Sequence, residues 1–116
     1  MSAPREALLE RLWQDPRARS RNKNFHRFRD DRVYRRTVRR VRSLLSLRAD
    51  LVRFAALGTI VAERLDGDRV RVVLRVPALR LRRSVYLSVF ELELLRRDEK
   101  LRNLLVTRSP SHDRRS

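Results

Sequence analysis

The chain has 116 residues, a formal net charge of +16, 41% apolar residues and 38% charged ones. That length leaves room for one modest core, and a charge that large draws nucleic acid, acidic proteins or anionic lipid surfaces. With no cysteine in the chain, disulfide staples and thiolate metal sites are excluded.

Only Lys23 and Lys100 among the cations are lysine. A GC-rich codon bias accounts for arginine in place of lysine, but not for the excess of cations over anions. The opening run MSAPREALLERLWQD carries Arg5, Glu6, Glu10 and Arg11 and so lacks the apolar segment of a signal peptide. No apolar run reaches the length of a membrane span. A cytoplasmic protein without integral membrane contact is expected.

In chain order, Ser2, Pro4 and Glu6 are helix-start signals, and Leu8, Leu9, Leu12 and Trp13 recur at helical spacing until Asp15-Pro16. They predict a short helix over 3–14. Residues 15–29 have no period and are strongly basic; Phe25 and Phe28 are their only sizeable apolar groups. This segment reads as a connecting arm whose rings are buried and whose cations face solvent until a partner arrives.

Asp30 or Asp31 suits the N-terminus of the next helix, where a carboxylate meets unpaired amides and the positive end of the dipole. Tyr34, Thr37, Val38, Val41, Leu44, Leu45, Leu51, Val52 and Ala55 then fall on one side at 100° per residue. Arg32, Arg35, Arg36, Arg39, Arg40 and Arg42 fall on the other, with Arg48 an intruder in the apolar arc. The partition predicts a helix over 31–55, about 37 Å long at ~1.5 Å per residue.

After Gly58 the period changes from 3.6 to 2. Residues 59–65 and 69–76 flank Asp66-Gly67-Asp68, a hairpin signal because glycine accepts the positive φ of the turn. Val70, Val72, Leu74 and Val76 point to one face; Arg69, Arg71, Val73 and Arg75 point to the other. Pro77 breaks the ladder. Residues 79–87 alternate again, with Leu79, Leu81, Val85 and Leu87 sharing a side with Arg83, against Arg80, Arg82, Ser84 and Tyr86.

Ser88-Val-Phe-Glu91 matches a capping box and opens a helix predicted over 89–106, with a stripe of Phe90, Leu94, Leu101, Leu104 and Leu105. The last ten residues, 107–116, hold no core-forming group and are expected to be disordered. The predicted fold is a small single α+β domain in α-α-β-β-β-α order. Its three-stranded antiparallel meander packs against the long amphipathic helix and the C-terminal helix. The predicted divisions are a short helix over 1–14, the arm over 15–29, a compact core over 30–106 and the tail over 107–116.

Charge is not spread evenly along this order. Residues 17–48 hold 13 cations against Asp30 and Asp31, a local net of +11. The C-terminal helix instead balances Glu91, Glu93, Asp98 and Glu99 against Arg96, Arg97, Lys100 and Arg102. Codon drift acting uniformly does not leave one helix neutral and another intensely basic. Like charges such as Arg32/Arg36, Arg35/Arg39 and Arg36/Arg40 weaken an isolated helix by roughly 0.2–0.5 kcal/mol each, which an anionic partner recovers; on the alternative reading, the arginines face water and lean on acids elsewhere in the fold.

The candidate phosphate contacts are therefore Arg32, Arg35, Arg36, Arg39, Arg40 and Arg42, with Arg21, Lys23 and Arg27 of the arm alongside. A second candidate surface comprises Arg71, Arg80, Arg82 and Tyr86, since arginine forks onto phosphate and a ring among cations suits unpaired bases. The same alternation is what any solvent-facing sheet side shows, and one tyrosine is a thin platform.

Motifs of catalysis are absent. His26 and His112 are far apart and join no acid at ligand spacing, Ser111-His112-Asp113 lies in the expected tail, and Gly58 and Gly67 alone make no glycine-rich phosphate loop. No catalytic residue, metal or cofactor is expected, nor is enzymatic activity. The element order fits neither an RNA-recognition motif nor a helix-turn-helix. The sequence thus points to a small nucleic-acid-binding protein, RNA slightly ahead of DNA. The alternative is an adaptor or inhibitor that docks an acidic protein, using Leu47, Leu92 and Leu95 as exposed apolar contacts. Peripheral attachment to anionic lipid ranks last, because the core needs the long helix's aliphatic face.

Overall fold

Two helices, a four-stranded sheet and two short helices follow one another in the computed structural model, which describes residues 4–15 and 32–108. The predicted arm from residue 16 onward, with Arg21, Lys23 and Arg27, lies outside the described residues, as do the acidic cap at Asp30 or Asp31 and the tail from 109 onward. The α+β class is as predicted. The chain divides within its long helix into two compact units, residues 1–47 and 48–116.

In the first unit, α1 (Pro4–Gln14) buries Leu9, Leu12 and Trp13, the face its spacing predicts. It ends where the Asp15 amide bonds to the Leu12 carbonyl at 3.1 Å. The long helix α2 (Arg32–Phe54) follows. Within this unit it buries Thr37, Val38, Val41, Leu44 and Leu47. From Val38 on, these residues recur every third position, so the buried stripe drifts by about 60° per step around a helix of 3.6 residues per turn. That drift corrects one expectation: Leu47, predicted to be exposed, is only 1% exposed. The Thr37 hydroxyl donates to the Val33 carbonyl at 2.7 Å, so the polar group in the stripe is satisfied.

In the second unit, Leu51 continues the buried face of α2. Strands β1 (Thr59–Arg64), β2 (Arg69–Val76) and β3 (Leu81–Ser88) form the antiparallel meander. Gly67 adopts φ 68° in the β1–β2 turn, the conformation for which that glycine was read. Val70, Val72, Leu74 and Val76 are each 0% exposed, so this alternation defines the covered face of the sheet. Arg83 shares that face through its pairing with Leu74. Its guanidinium is neutralised by Asp50 in the last turns of α2, at 2.6 Å.

Three features depart from the sequence expectation. First, the sheet has a fourth strand, β4 (Thr107–Arg108), parallel to β1, giving the order β3-β2-β1-β4; its two residues lie in the segment expected to be disordered. Second, the C-terminal helix is broken into α3 (Val89–Leu95) and α4 (Glu99–Arg102). The capping box of Ser88 and Glu91 is present, with bonds of 2.8 and 3.0 Å, and α3 packs on β2 and β3. Its end is tightened by Arg97 and Asp98 amides reaching back three residues, and the Asp98 side chain then caps α4 through the Lys100 amide at 2.9 Å. Within α3, Leu92 and Leu95, predicted to be exposed, are buried beside Leu94. Past the break the helical phase is reset, and Leu104 of the predicted stripe is 38% exposed.

Third, Arg80 is not a strand residue. Proline has no N–H to give the ladder, and Pro77–Leu79 instead forms a 3-10 turn that Arg80 closes in the left-handed conformation, φ 52° and ψ 35°, by bonding to the Pro77 carbonyl. An L-residue there costs about 1–2 kcal/mol, whereas glycine gives back about 0.5–1 kcal/mol through its freer unfolded chain. Arg80→Gly should therefore raise stability by about 0.5 kcal/mol and Arg80→Val lower it. Urea unfolding of the two variants checks the sign of each.

Candidate nucleic-acid interface

The six arginines expected along one side of α2 do not form a uniform row. Arg32, Arg35, Arg36 and Arg39 are all exposed. At positions i, i+3, i+4 and i+7 they fall within an arc of about 100°, opposite Thr37, Val38 and Val41. Together they line a recess of about 200 Å³. Among the described residues, no carboxylate lies within ion-pairing distance of any of the four. Arg40 and Arg42 flank the arc, are half-buried, and are engaged elsewhere.

A recess walled by four guanidinium groups is suited to one kind of ligand. Each group is a planar fork of N–H donors that matches the oxygens of a phosphate or carboxylate. Two i,i+4 pairs (Arg32/Arg36, Arg35/Arg39) and two i,i+3 pairs (Arg32/Arg35, Arg36/Arg39) repel along it, and oxyanions bound by these four groups relieve all four.

The sheet presents a second cationic surface on the face opposite Val70, Val72, Leu74 and Val76. The register sets Arg71 beside Tyr86, Val73 beside Ser84 and Arg75 beside Arg82. Tyr86 is 50% exposed, and the Arg69 guanidinium lies over its ring, 4.9 Å from the centroid. Of the residues predicted for this surface, Arg82 and Tyr86 belong to it. Arg71 belongs to it as well, but pairs with Glu63 of β1 at 2.5 Å and is half-buried, its Nε lacking a hydrogen-bond partner. Arg80 lies in the turn, as described above. The opposition of Arg75 and Arg82 was not foreseen, because it depends on the register that the 77–80 turn imposes.

A further recess of about 410 Å³ is lined by Glu93, Arg96, Arg97 and Arg102, and there Glu93 accepts from Arg96 at 2.9 Å. Among the described residues, no group of histidine, aspartate and glutamate side chains is placed to hold a metal ion. Nor is any helix among them long and apolar enough to cross a membrane. Compared with protein-family models, with curated proteins and with solved structures, the chain matches none.

Proposed function

We propose that this chain is a small, non-enzymatic nucleic-acid-binding protein, RNA slightly preferred over DNA, that grips phosphates through the N-terminal half of α2. The observation that carries the reading is the recess of Arg32, Arg35, Arg36 and Arg39, with no carboxylate among the described residues to neutralise it. Repulsion among those four groups is tolerated in the free protein because a polyanion quenches it on binding. The contacts are to backbone phosphate, so affinity follows charge rather than base sequence. The rival reading, an acidic protein partner, drew its apolar contacts from Leu47, Leu92 and Leu95, and all three are buried.

The test is fluorescence anisotropy of labelled single-stranded RNA and duplex DNA at low salt, with polyglutamate of matched charge as competitor. Both nucleic acids should bind, RNA somewhat more tightly, and unlabelled RNA should displace the label more effectively than polyglutamate. Failure to bind either nucleic acid, or displacement by polyglutamate as effective as by unlabelled RNA, overturns the proposal.

A further inference from the structure

We infer that the open face of the sheet is a binding site for an unpaired stretch of nucleic acid, with a base stacked at Tyr86 and phosphate held between Arg75 and Arg82. The inference rests on the nucleic-acid reading above and adds to it the form of the strand and a second point of attachment.

Three observations converge on this face. Arg75 and Arg82 stand directly opposite one another across the β2–β3 ladder, both exposed. Like charges so placed weaken a strand pair, and among the described residues neither has a carboxylate at ion-pairing distance. Two arginines so opposed can clamp one phosphate between them.

Tyr86, on the same strand face as Arg82, is the second observation. It is four residues further along β3, about 13 Å at the rise of a strand, a distance that a short run of unpaired nucleotides covers. Half of the tyrosine remains exposed with Arg69 already stacked on its ring. An arginine lying against an aromatic ring fixes the ring's orientation and adds positive charge beside any base that stacks there.

The third observation is the ground between these two points. Val61, Val73 and Ser84 lie in one cross-strand row, and the two valines are half-buried. The one acid on this face within the meander, Glu63, is already taken by Arg71. A cation clamp, a neutral strip and a ring held by a cation therefore follow one another along the sheet. That is the order in which a single strand presents phosphate and base. A duplex hides the faces of its bases within its own stack and offers this surface phosphate alone.

The experiment measures anisotropy of the full chain on an unstructured single-stranded RNA and on an RNA duplex of the same composition. The variants are Tyr86→Ala, Tyr86→Phe and Arg75→Ala/Arg82→Ala, with circular dichroism melts to confirm folding. Tyr86→Ala should weaken single-strand binding by about tenfold, the effect of one lost base stack, and leave the duplex unaffected, while Tyr86→Phe retains wild-type affinity. Arg75→Ala/Arg82→Ala should reduce the log–log salt slope on the single strand by about 0.7, the loss of one phosphate contact. Wild-type binding to single strands with no change in Tyr86→Ala, or equal weakening of single strand and duplex, overturns the sheet assignment and leaves the α2 reading standing. No binding by the wild type to either RNA overturns both.

Discussion

Gly58→Ala should lower the stability of the chain by about 3 kcal/mol, at the upper end of the usual cost of overpacking, and reduce the melting temperature by more than 10 °C on the scale of about 4–8 °C per kcal/mol. A Cβ at this position would lie 2.1 Å from the carbonyl oxygen of Arg75 and 3.0 Å from its carbonyl carbon. Both atoms belong to the backbone of β2 beside its pairing with Thr59, so no side chain can swing away to make room. Relief requires the turn over 55–58 to lift from the strand, which would disrupt the Thr59–Arg75 end of the β1–β2 ladder. Gly67→Ala offers the contrast. There φ is 68° but nothing lies within 4 Å of the added carbon, so the cost is the conformational one, about 1 kcal/mol. Parallel urea titrations of the two variants check the ordering; a Gly58→Ala variant no less stable than Gly67→Ala would refute the steric account.

Replacing Arg32, Arg35, Arg36 and Arg39 together by alanine should move stability and binding in opposite directions. The four like-charge pairs among them disappear, together with Arg36/Arg40 and Arg39/Arg42, each worth roughly 0.2–0.5 kcal/mol, and alanine is the best helix former. The variant should therefore be more stable by about 1 kcal/mol or more. Its affinity for nucleic acid should fall by about 100-fold at moderate salt, because four phosphate contacts and the counterions they release are lost. Charge reversal to glutamate should weaken binding further. A purely structural role for these arginines predicts the opposite pattern: lower stability, with affinity reduced only to the extent that the fold is lost. Chemical unfolding and anisotropy on the same preparations separate the two.

Local chemistry was the most legible layer of this sequence. The Ser88–Glu91 capping box, the positive φ of Gly67 and the covered row Val70, Val72, Leu74 and Val76 each depend on residues close together in the chain, and each is present. The buried face of α2 was legible at Thr37, Val38, Val41, Leu44 and Leu51, but not at Leu47. A fixed 100° projection assumes a straight stripe, whereas steps of three residues carried the stripe round to Leu47. The same projection could not foresee the break at 96–98, which arises because Asp98 caps a new helix rather than continuing the old one. Strand β4 left no signal at all. Two residues have no period, and their parallel pairing with Ala62 and Glu63 is a long-range contact.

The candidate site divides along the same line. Which arginines share the N-terminal face of α2 follows from helical spacing, and the four at its centre are exposed together. Which of the flanking ones are engaged elsewhere does not follow, and Arg40 and Arg42 are. On the sheet, alternation along each strand gave the face but not the neighbours across it. The Arg71–Glu63 pair and the Arg75–Arg82 opposition are set by register. The placement of Arg80 was misread because a strand pattern was extended through a proline turn.

The account turns on phosphate being gripped by four particular guanidinium groups, and the salt dependence of binding reports that number. Single-strand RNA affinity should be measured from low to moderate salt for the wild type and for the variant with Arg32, Arg35, Arg36 and Arg39 replaced by alanine. At ~0.7 per contact on a single strand, the log–log slope should become shallower by about 2.8 in the variant. Identical slopes for the two proteins would place the electrostatic contacts elsewhere and contradict the assignment.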